Sequence, residues 1–263
     1  MRVVVCRDAD EGAEIATREI LAELERKPDL VLGLATGSTP IGIYQRLVAA
    51  HRARGVSFAR VRTFNLDEYY GLPPGHPQSY RSFMEAHLFG GIDVPPENIH
   101  FPPTSEKSIV AACARHEAAI RAAGGIDVQI LGIGTNGHIG FNEPTSSLAS
   151  RTRLKTLAEK TVRDNARFYP EGEKQPTLAA TLGIGTILDS RRILLQAFGT
   201  AKAEAVRRSV EGPVSSMWPG SALQLHADVT FLLDEGSASE LSLRDYFRRV
   251  RENEEELRRR GAL

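Results

Sequence analysis

The sequence predicts an α/β fold, a mainly parallel central sheet with helices on both faces. Short runs that are apolar along their whole length, RVVVC, DLVLGLA, IDVQILGIG, RRILLQAFG and DVTFLLDE among them, read as strands buried on both sides. Amphipathic runs lie between them, so strand and helix alternate in the pattern of parallel strands joined by crossover helices. A chain of 263 residues is long enough for one large domain or two modest ones. No proline-rich or serine-rich linker divides it and no internal repeat appears, which favours one domain over residues 1–263.

In chain order, RVVVC is the first strand and residues 10–27 the first helix. DLVLGLA is the second strand, ending near Ala35, and Thr36-Gly37-Ser38-Thr39 leads into a helix over 40–54. Pro40 suits the first helical position, where a missing N–H costs nothing. Ser and Thr are good N-caps, Gly37 allows a close backbone approach, and the helix dipole with its unpaired N–H groups favours an anion. The same four residues read equally well as an ordinary capped helix start, and no GK[ST] follows to make a Walker motif.

VRTFNL is the third strand, running into Asp67-Glu68 and a loop with Gly71, Pro73, Pro74, Gly75 and Pro77 before a helix over 79–89. Neighbours in extended chain face opposite ways, so Asp67 and Glu68 do not share one site; one of them can face a cleft, and acids past a strand end commonly cap a turn or meet solvent.

Gly124-Gly125 announces the strand Ile126–Leu131, and LGIGTNGHIGFNEP leaves its carboxyl end, the edge at which open α/β sheets bind ligands. Gly132, Gly134 and Gly137 match G-x-G-x-x-G, but Gly140 and Pro144 follow too soon for the sustained helix a dinucleotide site needs. The loop instead presents Asn136, His138, Asn142 and Glu143. A His with a Glu five residues on matches an imidazole base oriented by a carboxylate, and a purely structural His fits the bare residues as well. Last comes SLRDYFRRVRENEEELRRRGAL, whose dense mixed charge reads as a solvated C-terminal helix with Tyr246 and Phe247 as candidate docking residues.

Thirty-three basic residues balance thirty-three acidic ones. That neutrality offers no electrostatic footprint for nucleic acid or an anionic membrane and leaves a small anion held by a local pocket. Cys6 and Cys113 give neither a disulfide framework nor CxxC spacing, and read as packed thiols in a reducing compartment. No run approaches a membrane span and no signal segment precedes RVVVC, so a cytoplasmic location is expected.

LGLATGSTP, TFNLDEYYGL, HPQSY, GIGTNGHIGFNEP, SSLASRTRLKT, LGIGTILD and LQLH stand in one order nearly end to end. In these motifs the chain resembles the glucosamine-6-phosphate deaminase family. The related 6-phosphogluconolactonases and ribose-5-phosphate isomerases have a similar, Rossmann-like fold and a phosphate loop, but TFNLDEYYGL and GHIGFNEP together are not expected in either.

The resemblance implies ring opening of glucosamine 6-phosphate, proton transfer from C2 to C1, and release of ammonia to give fructose 6-phosphate. It implies Asp67 as the base at C2, and His138, supported by Glu143 and Asn136, for ring opening. It places the substrate phosphate on Thr36, Gly37, Ser38, Thr39, Arg167 and Lys202, with residues 156–176 as a lid and with no metal or cofactor. Many members carry Asp at position 136. An Asn can orient His138 but not stabilise its cation, which leaves that charge to Glu143. Some relatives are hexamers activated by N-acetylglucosamine 6-phosphate at a subunit interface. The matching Ser146, Arg153, Lys155, Thr156 and Tyr246 are present, so a homo-oligomer with an allosteric site is a further expectation. Two other readings stand beside this one, a lactone hydrolase on a similar scaffold and a non-catalytic sugar-phosphate sensor, the latter weakened by the missing basic face.

Overall fold

The computed structural model describes residues 1–73, 75–104, 107–157 and 175–262. In chain order its elements are β1 (Arg2–Val5), α1 (Ala9–Arg26), β2 (Val31–Leu34), α2 (Ile41–Arg54), β3 (Arg62–Asn65), β4 (Asp67–Tyr69), α3 (Tyr80–His87), β5 (Ile99–His100) and α4 (Ile109–Ala122). They continue with β6 (Val128–Gly132), β7 (Arg153–Thr156), β8 (Leu178–Thr181), α5 (Ile184–Leu188), β9 (Arg192–Ala197), α6 (Ala203–Val210), β10 (Val229–Leu233) and α7 (Arg244–Arg259). Arg167 and most of the expected lid, residues 156–176, fall on 158–174 and lie outside the described residues.

The main sheet has seven strands in the order β1-β10-β9-β6-β2-β3-β5, and every pairing in it is parallel. From β2 the chain moves outward through β3 to β5, and from β6 it moves the opposite way through β9 to β10. The order therefore reverses between β2 and β6, and the loops leaving those two strands part to open a crevice at their carboxyl ends. Helices cover both faces. His116 of α4 packs edge-on against Phe64 with ring centroids 5.6 Å apart, while Gly12 of α1 faces Gln196. The register, which aligns Phe64 with Gly33, Gly33 with Gln129, and Gln129 with Ile193, puts Phe64 and Gln196 on opposite faces. Leu30, Leu32, Ile130, Leu194 and Phe231 are buried in the core between these layers.

A second sheet, antiparallel in the order β4-β8-β7, stands beside the main one. It aligns Asp67 with Thr181 and Thr181 with Arg153. The two sheets are joined where Leu66 donates its N–H to Leu34 O and accepts from Leu182 N at 2.7 Å. Within SSLASRTRLKT the strand β7 begins at Arg153, and β8 was not announced, because Ala179 and Ala180 have low strand propensity and are held there by burial.

Several local expectations are corrected. Neither Ser38 nor Thr39 caps α2; the N-cap is Pro40, with φ −80° and ψ −5° and no side-chain cap. The helix expected over 79–89 ends at His87, after which a 3-10 turn at Phe89–Gly91 takes over. The charged C-terminal segment is a helix, but α7 is tethered rather than simply solvated: Arg251 donates to Val5 O and to Glu11 at 2.8 Å each. Phe247 packs on the core, whereas Tyr246 is 53 % exposed. Cys6 and Cys113 are buried free thiols, and burial pushes both thiols up, that of Cys6 to about 12. No helix among the described residues is long and apolar enough to cross a membrane.

Candidate active site

The crevice between β2 and β6 opens into a cavity of about 880 Å³ lined by Thr36, Gly37, Ser38, Thr39, Asp67, Asn136, His138 and Lys202. Each of these was expected from the sequence, and the fold brings them together from four separate segments.

The first wall is the loop from β2 into α2. Gly37 sits at φ +102°, a conformation L side chains rarely adopt, with open space where a Cβ would stand. Pro40 has no N–H to donate and no side-chain cap stands at the helix start. Thr39 and Ile41 at this helix start line the cavity, where the positive end of a helix dipole favours an anion. Across the crevice Lys202, at the entry to α6, brings a cation to the same space while donating from Nζ to Ile133 O at 2.7 Å.

The second wall is β4. Asp67 and Glu68 point opposite ways, as extended neighbours must. Glu68 turns inward and accepts from the backbone N–H groups of Tyr69, Tyr80 and Arg81 at 2.8, 2.9 and 2.8 Å, capping the start of α3. Asp67 faces the cavity. Burial, and after it the charge of Glu68, pushes its carboxyl up to about 8. An aromatic cluster that was not assigned from the sequence lines the same cavity: Tyr80 stacks on Phe141 at 5.9 Å between centroids and packs on Tyr69 at 4.8 Å. Tyr80 and Thr36 line the cavity together, so the aromatic wall stands beside the anion loop. HPQSY and DEYY carried these tyrosines, but an aromatic residue beside a loop does not by itself distinguish cover from core.

The third wall is the loop after β6. Asn136 donates from Nδ2 to Glu143 Oε2 at 2.8 Å, and its Oδ1 lies 2.7 Å from His138 Nδ1. A carboxylate accepts only, so the amide must turn its NH₂ toward Glu143 and its oxygen toward the ring. His138 then carries its proton on Nδ1, and Nε2 holds the basic lone pair. The direct separation of His138 Nδ1 and Glu143 Oε2 is 3.7 Å. Glu143 thus orients the ring through the amide and stands within direct reach of its charge when the ring is protonated. A Cβ at Gly134 would lie 2.2 Å from the imidazole, so the ring occupies space that only glycine leaves open.

The five positions expected to form an allosteric site are not gathered in one chain. Arg153, Lys155 and Thr156 lie on β7, and Ser146 is buried nearby in sequence. Tyr246 is on α7, which packs against β1, and its ring contacts Phe247. Among the described residues no group of three or more His, Cys, Asp or Glu side chains converges as metal ligands would.

The chain is similar to known proteins over nearly its whole length. The family model for glucosamine-6-phosphate isomerases and 6-phosphogluconolactonase matches residues 7–232. A glucosamine-6-phosphate deaminase of Shewanella loihica is 56 % identical over 250 residues, 95 % of this chain and 93 % of that protein. Another from Hahella chejuensis is 54 % identical over 100 % of this chain and 99 % of its own length. A solved structure described as a monomeric glucosamine-6-phosphate deaminase superposes with TM-score 0.88 at 46 % identity, covering 91 % of this chain and 100 % of that one. A 6-phosphogluconolactonase from Leishmania guyanensis superposes with TM-score 0.70 at 21 % identity, a likeness of fold alone. The chain belongs to the glucosamine-6-phosphate isomerase and 6-phosphogluconolactonase family.

Proposed function

We propose that this chain catalyses the isomerising deamination of glucosamine 6-phosphate to fructose 6-phosphate and ammonia. The observation that carries the reading is a buried carboxylate, Asp67, and an oriented imidazole, His138, lining one cavity beside an uncapped helix start. The phosphate dianion is held by the 36–39 loop, the α2 dipole and Lys202; Arg167 belongs to the same proposal but lies outside the described residues. His138 Nε2 moves a proton between O5 and O1 to open the ring. Asp67 takes the proton from C2, and electrons shift onto O1, which picks up a proton from water, to give a 2-amino enol. Asp67 then returns a proton to C1, giving the imine at C2. Water adds there, and ammonia leaves as the ketone forms. Two proton transfers at different atoms call for two separately placed groups, each worth on the order of 10²–10⁴ in rate.

The test is ammonia release from glucosamine 6-phosphate, with chelator present and with Asp67→Asn and 6-phosphogluconolactone as controls. A lactonase has no use for a base at C2, so lactone hydrolysis that survives Asp67→Asn, with no ammonia from the amino sugar, refutes the proposal.

The finer expectations stand beside it. A cytoplasmic enzyme without nucleic-acid or membrane partners is supported by the neutral charge balance. Assembly into a homo-oligomer finds support in exposed Val110, Met217 and Leu225, and is tested by light scattering against the monomer described for one structural relative. An allosteric site at Ser146, Arg153, Lys155, Thr156 and Tyr246 is supported by Arg153: among the described residues it has no carboxylate partner, and burial lowers its pKa. Hyperbolic kinetics unmoved by N-acetylglucosamine 6-phosphate refute that site.

A further inference from the structure

Between His138 and Glu143 lies Asn142, wholly buried at 0 % exposure. Its side chain uses three hydrogen-bonding positions at once. Nδ2 donates to Ile139 O at 2.9 Å and to Leu182 O at 2.8 Å, and Oδ1 accepts from Arg153 Nη1 at 2.8 Å. Two carbonyls demand donors and a guanidinium demands an acceptor, so all three contacts agree on one orientation of the amide, and no other side chain of its length offers that set.

The three contacts lead to different parts of the site. Ile139 O closes the turn of the His138 loop on itself, reinforced by Asn142 N to Ile139 O at 3.1 Å. Leu182 lies at the end of β8, and its own N–H is bonded to Leu66 O, one residue before Asp67. A parallel strut runs beside it: Phe141 N donates to Thr181 Oγ1 at 3.2 Å, and Thr181 stands opposite Asp67 in the register. Arg153 belongs to β7, the third strand of the same sheet.

We propose that Asn142 is the positioning residue that fixes the His138 loop relative to the Asp67 strand, with Arg153 locking its amide. This deepens the function proposed above and rests on the roles given there to Asp67 and His138. Both groups act on one substrate tethered by its phosphate, and a misplacement of about 1 Å between them costs on the order of 10² in rate. The anion loop is made elsewhere, so substrate binding is spared.

The experiment measures kcat and KM for ammonia release in Asn142→Ala, Arg153→Met and Arg153→Lys. Alongside it, deuterium exchange is followed at C1 of fructose 6-phosphate in heavy water containing ammonium, which re-forms the imine at C2 from the ketone. The keto form arises in solution without the enzyme, so this exchange needs Asp67 and not His138. The expected result for Asn142→Ala is a fall in kcat of about 10²-fold with KM within about threefold and exchange within about fivefold. Arg153→Lys, which keeps a donor, is expected to lose less than Arg153→Met, and Arg153→Met carries the test should Asn142→Ala fail to fold. A folded Asn142→Ala with kcat near that of the parent, or with exchange falling in step with kcat, overturns the proposal. Asp67→Asn and His138→Asn are run beside these variants. Turnover surviving in either one sinks the reading of the site itself, whereas two inactive controls beside a normal Asn142→Ala sink this inference alone.

Discussion

Asn136 Nδ2 stands 2.8 Å from Glu143 Oε2, and that single contact settles which way the amide faces His138. Replacing Glu143 with Gln keeps size and removes both the charge and the strict demand for a donor, so the Asn136 amide is free to turn and the imidazole loses its fixed tautomer. Glu143→Gln is expected to lower turnover on the cyclic substrate by about 10²-fold or more while leaving C1 exchange of fructose 6-phosphate nearly unchanged. Near-normal turnover of the cyclic sugar removes the relay from the mechanism.

Asp67 gives a pH dependence whose sign can be worked out. Its folded-state carboxyl is raised from 3.8 to about 8. Between those values the folded protein holds a proton that the unfolded chain has released, so this residue's contribution to stability falls as pH rises across the window. The melting midpoint of Asp67→Asn relative to the parent is therefore expected to rise from about pH 5 to about pH 8 by at least about 3 °C. A constant offset across that range contradicts the burial account. In the parent, kcat/KM is expected to climb with pH through about 8 as the base ionises.

Gly134 is where backbone and imidazole meet most closely. With a Cβ 2.2 Å from the ring, Gly134→Ala must push His138 away from Asn136. Turnover is expected to drop by about 10²-fold or more with the fold retained, as read by circular dichroism. An active Gly134→Ala shows that the ring position is not critical.

Lys202 supplies charge rather than chemistry. Lys202→Met is expected to raise KM by about tenfold or more with a smaller effect on kcat, because the lost interaction is made with the phosphate in ground state and transition state alike. The reverse pattern, kcat falling at constant KM, moves Lys202 to the reacting end of the substrate.

Glu68 is the structural partner of Asp67. Glu68→Ala leaves three backbone N–H groups, those of Tyr80 and Arg81 at the head of α3 and that of Tyr69 on β4, without their acceptor, and is expected to cost about 2–4 kcal/mol in chemical unfolding. A loss below about 0.5 kcal/mol means that solvent replaces the cap readily.

The parallel layering was legible because strands buried on both faces read as unbroken apolar runs, and RVVVC, IDVQILGIG and DVTFLLDE all did so. The anion loop was legible too, since TGSTP combines a flexible residue, hydroxyls and a helix-starting proline. What the sequence left open needed the third dimension. Asp67 and Glu68 are adjacent acids, and only the packing of α3 shows which one becomes a cap. Ala179 and Ala180 gave no strand signal. Asn142 read as one more polar residue in a polar loop until its three partners were in place, and the separation of Tyr246 from Arg153 in one chain was beyond any linear motif.

The helix start proposed to hold the phosphate follows β2 of the large parallel sheet, whereas Asp67 is carried by the small antiparallel one, and the two are stitched through Leu66. A tether and a reaction centre mounted on separate frames can drift apart over evolutionary time without either losing its shape. New chemistry on a phosphorylated sugar then demands a rebuilt three-stranded attachment, not a new fold.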